Sequence, residues 1–157
     1  VTSTAPPLRL AAIARLTSGA GAAALVAAGV ASPAAGGVAV DPEQGSDLPY
    51  VEVQGATEVE TQRSDTTRSV TATLSMVARA STLAGAEAIV QVLVNQLGRR
   101  FAVPDDAEGT SATEIQMTAA TLDLNGDPFR EPPPGARPWG IPIRFRYTLY
   151  QPAAPGE

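Results

Sequence analysis

The sequence has no histidine, no cysteine and no lysine, so all 11 of its basic residues are arginines. Without histidine it lacks the side chain that exchanges protons near neutral pH. Without cysteine and lysine it lacks the usual covalent nucleophiles after serine. Zinc sites rely on Cys and His, and disulfide frameworks need Cys. These absences remove most catalytic constellations and leave carboxylate chemistry, hydroxyls without an imidazole base, and binding. Aromatic residues are scarce as well, at 4%. The core must then be built of small side chains, and burial energy scales with apolar area at roughly 25 cal/mol per Å². Contacts between copies are one way to make up the difference. No run approaches the roughly 20 strongly apolar residues of a transmembrane helix, so no membrane partner is expected.

What is present fits one domain over the 157 residues, with residues 1–7 and 151–157 as loose termini. The formal charge of −5 argues against a protein that grips phosphates. It is compatible with a surface past which DNA slides without sticking. Arg9 and Arg15 precede an Ala/Gly/Val stretch that ends at Ser32-Pro33-Ala34. That pattern also reads as the leader of an exported, non-enzymatic binding domain.

Apolar spacing predicts helices over 8–16, 22–28 and 82–97. The last has a stripe of Ala86, Ile89, Val90, Leu93, Val94 and Leu97, with Ser81 or Thr82 as its cap. Alternation predicts strands over 50–54, 69–79 and 141–150, with a short one over 38–40. A strand over 113–124 carries a phase slip that implies a bulge near Ala119–Ala120. Asn125-Gly126 is a hairpin-type turn signal, and the prolines of 128–138 favour an extended path. The fold class is α+β: about four mainly antiparallel strands, two principal helices on one face, and an extended loop or hairpin arm at 57–67.

No paired-carboxylate site or metal motif has its partners in place. Asp123, Asn125 and Asp127 have the spacing of a calcium-loop start, but Gly126 is misplaced and no distal Glu follows. They read as a turn, and no catalytic residue, cofactor or metal is assigned. The candidate residues are instead interfacial. Glu58, Glu60, Arg63, Asp65 and Arg68 form a mixed-charge stretch, either a solvated loop or an arm that pairs across an interface. Arg144 and Arg146 lie on the polar face of the last strand, either exposed or meeting a neighbour's carboxylate. Phe129 and Trp139 flank the proline-rich segment, as core pins or as exposed anchors.

Three pieces, in order, carry a family resemblance. They are Ala24-Leu25-Val26-Ala27-Ala28-Gly29; then Gly37 to Gly45 leading into Leu48-Pro49-Tyr50-Val51-Glu52-Val53; then the strand Val70 to Ala78 followed by Gly85-Ala86-Glu87-Ala88 and its helix. Together they resemble the tail-terminator (tail-completion) family of long-tailed phages and phage-derived particles. The resemblance implies a virion protein that forms a homo-hexameric ring, caps the tail-tube protein and docks the head–tail connector. It further implies that DNA passes through the ring without specific binding, and that the protein sits at the head–tail junction after assembly in the host cytoplasm. Another head–tail joining protein of similar fold is the alternative. In such a ring Glu52, Glu58 and Glu60 are expected nearer the lumen than the arginines.

Overall fold

The computed structural model describes residues 4–40, 48–63, 67–103, 115–130 and 138–152. Their order is α1 (Ala5–Thr17), α2 (Gly19–Ala27), a 3₁₀ turn (Pro33–Ala35), β1 (Val38–Ala39), β2 (Tyr50–Arg63), β3 (Thr67–Ala80), α3 (Leu83–Leu97), β4 (Gln116–Asn125), β5 (Phe129–Arg130) and β6 (Trp139–Pro152). The strands form one sheet in the order β1-β2-β3-β6-β4, with β5 pairing the start of β6. Among the described residues only the β1–β2 pairing is parallel. The α+β class is as the sequence predicts. Among the described residues six strands stand against the expected four: β1 answers to the short strand expected over 38–40, and β5 has only two residues, too few for alternation to register.

One face of the sheet is apolar and carries the helices. Val51 and Val53 of β2, Val70, Ala72, Leu74, Met76 and Ala78 of β3, and Ile141, Ile143, Phe145, Tyr147 and Leu149 of β6 are all buried there. Against them pack Ala86, Ile89, Leu93 and Leu97 of α3 and Leu8, Ala12 and Leu16 of α1. The Thr82 hydroxyl accepts from the Gly85 amide at 3.1 Å and so caps α3. At the other end of α3 the buried Tyr147 hydroxyl donates to the Leu97 carbonyl at 2.7 Å, and Arg15 Nε donates to the Gln96 carbonyl at 2.6 Å. Both satisfy carbonyls that a helix end leaves open. Burial pushes the Tyr147 phenol well above its ordinary range, which keeps it a donor.

Residues 4–31 are part of this core, which bears on the leader reading. Leu8, Ala12, Leu16, Leu25 and Val30 are fully buried. Cleavage near Ala34 would strip them from the sheet. The helix also starts earlier than expected, at Ala5, with Thr4 buried at its N-cap position. The turn from α1 to α2 depends on Gly21, where a Cβ would lie 1.9 Å from the Arg15 carbonyl oxygen. Among the described residues no single helix is long and apolar enough to cross a membrane.

β2 runs on to Arg63, past the strand end expected at 54, so of the two expectations for 57–67 it is the hairpin arm that is found, paired antiparallel with β3. Register shifts after Val53 and after Glu60 mark two bulges. The first inverts the alternation, since an inserted residue flips every side chain beyond it. Val59 shares the parity of Val51 and Val53, yet it stands 66% exposed, while Glu58 turns to the helix side opposite Ala72. β4 likewise has two shifts, between Met117 and Ala119 and between Leu122 and Leu124. The first falls beside the bulge expected at 119–120, and the second was not anticipated. Asn125-Gly126 closes no two-residue hairpin; Gly126 donates to the Pro142 carbonyl at 2.8 Å, and β5 follows before β6 begins. Asp65, the turn at 41–47 and the prolines 132–134 lie outside the described residues.

Candidate functional site

The charged candidates separate into two clusters, on opposite faces of the sheet. At the far end of the β2–β3 hairpin, on the helix side, Arg68 donates to Glu58 at 2.9 Å and to Glu60 at 2.8 Å. It also reaches Gln151 Oε1 at 3.2 Å. Glu58 accepts in addition from the Thr4 amide at 2.8 Å and from the Thr4 hydroxyl. One carboxylate therefore ties the first turn of α1 to the hairpin, at the helix end that favours negative charge. Burial pushes the Glu58 carboxyl up, but the Thr4 hydroxyl and amide and the Arg68 guanidinium outweigh it and hold it below its ordinary value. For Arg68, burial works downward and the two carboxylates more than offset it. Arg63 pairs outward with Glu60 at 3.3 Å. Thr4 and Gln151, both buried, complete the cluster; nothing in their local sequence signals it, because the contacts span 54 and 83 residues.

On the face away from the helices lies the second cluster. Asp123 accepts from Arg144 Nε at 2.7 Å and pairs with Arg146 at 2.8 Å. Past the bulge between Met117 and Ala119, Thr121 pairs with Arg146 and Leu122 with Phe145, so plain alternation puts Asp123 on the face that holds Arg144 and Arg146. The phase slip in the sequence was the available signal, and a turn reading of Asp123 hid it. Two cations share one carboxylate, so this patch keeps a surplus positive charge. On the same face Arg79 pairs with Glu52 at 3.1 Å, and its guanidinium lies 5.2 Å from the Phe129 ring centre. Phe129 sits over Gly140, where a Cβ would come within 2.6 Å of the ring. Thr71, Thr73, Ser75 and Thr148 fill the rest of the surface between them. No described element packs on this face.

Of the two aromatic candidates, Trp139 packs half-buried against the core with Arg130 5.1 Å above its ring, whereas Phe129 remains 36% exposed. Glu52, Glu58 and Glu60 are each paired with an arginine. Exposed large apolar side chains are spread over the described residues, on α1 (Leu10), α2 (Val26) and β2 (Val59) as well as near the two edges of the sheet. Leu122 and Leu124 on edge strand β4 are 42% and 40% exposed, and Val40, next to edge strand β1, is 44% exposed.

No family model matches the chain, and no curated protein does. Among solved structures, its fold is similar to that of a chain in the virion of a native gene transfer agent (GTA) particle. That similarity has a TM-score of 0.63 at 15% identity, and covers 91% of this chain and 94% of the other. It establishes a shared architecture over nearly the full length of both chains.

Proposed function

We propose that this chain is a non-enzymatic structural protein of a phage-like particle, and within that class a tail terminator. The observation that carries the reading is the near-complete overlap in fold with a chain of a gene transfer agent virion. The described parts of the three sequence pieces that resemble tail terminators fall at the end of α2, in β1 and β2, and in β3 and α3. Its mechanism is differential binding. A ring of identical copies fits the end of the tail tube, blocks further addition and presents a new surface to the head-side connector. A closed ring needs two different patches per subunit, since each copy must be both donor and acceptor of the same contact. The two edges and the open face of the sheet offer such patches. DNA would pass through the ring without sequence-specific contacts, and the site of action would be the head–tail junction, after assembly in the host cytoplasm.

The test is length control. Purified protein added to polymerising tail-tube subunits should halt growth, and electron microscopy should find it on one end of each tube. A protein that leaves tube growth unchanged but binds connector-bearing heads would belong to the neck instead.

A further inference from the structure

The helix layer does not cover the whole sheet. α1 packs on β2 and β3, and α3 on β3 and β6, so the layer stops short of edge strand β4. Leu122 pairs with the buried Phe145 and so faces the helix side, yet it is 42% exposed. Ala120 and Met117, opposite Tyr147 and Leu149, share that side and are only partly buried. Where β4 ends, an open groove of about 380 Å³ lies between it and α3. Val90 and Val94 of α3 give it one apolar side, and Pro128 and Ile141 add to it. Glu87 is the single charged residue of the lining, and Asp127 stands exposed between the lining residues Gly126 and Pro128. Four of the six described carboxylates, Glu52, Glu58, Glu60 and Asp123, are paired with arginine. Glu87 and Asp127 are the two with no arginine partner among the described residues, and both flank this groove.

From this apolar groove and its acidic rim we infer that a basic amphipathic helix of a different protein docks beside α3, over β4. Its apolar stripe fills the groove, and lysine or arginine on its flanks meets Glu87 and Asp127. Sheet and helix layers bury apolar surface against each other, so an apolar strip of sheet next to a helix is a seat for another helix. The volume is at the low end of the roughly 300–1,000 Å³ of ligand pockets, enough for a few anchoring side chains. Opposite charge at the rim selects the partner more than it adds affinity. Nucleic acid does not suit the groove, because its phosphates would meet two carboxylates and no cation. A second copy does not suit it either. The apolar stripes of α1 and α3, from Leu8 to Leu16 and from Ala86 to Leu97, are already buried against the sheet. The inference goes beyond the tail-terminator reading and does not depend on a ring.

The test uses the full chain and two fluorescent peptides of about 15 residues, long enough to hold a helix when bound. Both place leucine on one helical face; one carries lysine elsewhere and the other glutamate. Fluorescence anisotropy should show the leucine–lysine peptide binding about tenfold or more tightly than the leucine–glutamate peptide. Glu87→Gln/Asp127→Asn should weaken the lysine peptide by about fivefold, with far-UV circular dichroism unchanged. The chain has no cysteine, so the contact can be located by disulfide formation with a cysteine on the peptide. Gln91→Cys, in the groove, should link faster than Val59→Cys, which is exposed on the opposite face of the sheet. Equal affinity for the two peptides, a double variant that binds as tightly as the parent, or equal linking at both positions overturns the inference. So does a Gln91→Cys chain that links to a second copy in preference to the peptide. A Gln91→Cys thiol that is closed to a small reagent before any peptide is added also overturns it, since the groove is then filled by the chain itself.

Discussion

Arg68 and the pair Arg144–Arg146 use the same chemistry at different depths. The Arg68 side chain is 10% exposed and serves two carboxylates, whereas Arg144 and Arg146 are 43% and 55% exposed and divide one. The first cluster has more acceptors than cations and is closed around α1. The second has more cations than acceptors and faces outward. Burial makes the first a tie within the chain, since an ion removed from water must be fully partnered. Exposure makes the second cheap to alter and leaves charge for a partner, since surface ion pairs contribute only about 0–1 kcal/mol to stability. Five neighbouring candidates in the sequence thus resolve into Glu58 and Arg68 inside the fold, Glu60 and Arg63 at its surface and Asp65 beyond the described residues.

Four measurements would break or sharpen that contrast. The largest effect is expected from Arg68→Ala, which leaves Glu58 facing Thr4 without its cation. Chemical denaturation should show a loss of about 2–3 kcal/mol, somewhat below the cost of breaking a fully buried pair. Tyr147→Phe comes next, because it leaves the Leu97 carbonyl without its donor in a dry site; about 1.5 kcal/mol is expected, read the same way.

The third measurement concerns pH. The folded chain holds the Glu58 carboxyl below its ordinary value near 4.5. The stability it contributes is complete above that value and is lost as pH falls through the folded-state pKa. Melting temperature should therefore drop more steeply below about pH 4.5 in the parent chain than in Glu58→Gln. Equal slopes would mean that the Thr4–Glu58–Arg68 tie adds nothing. The smallest stability change belongs to Arg146→Gln, less than about 0.5 kcal/mol by denaturation. A large loss there would show that the outward cluster also holds the fold together.

The helices and the central strands were legible from the sequence because their periods are clean. The stripe from Ala86 to Leu97 needs no tertiary help to read as a helix, nor does the alternation from Val70 to Ala78 to read as a strand. The far half of β2 was not legible. Its bulge after Val53 reverses the parity, so Glu58 turns inward and Val59 outward, and only the distant partners Thr4, Arg68 and Gln151 make an inward glutamate stable. Asp123 was misread for a related reason: a bulge in β4 gives it two arginine partners from β6, 21 and 23 residues away in sequence. Alternation says which side chains share a face only until a strand gains an extra residue. Arg144 and Arg146 were found correctly on the polar face, because β6 has no such interruption against β3.

The most direct measurement is imaging of tail tubes after incubation with the purified chain. The tail-terminator reading expects a ring-shaped density at one end of each tube and a narrow distribution of tube lengths. Bare tube ends, with lengths unchanged from the control, would contradict it.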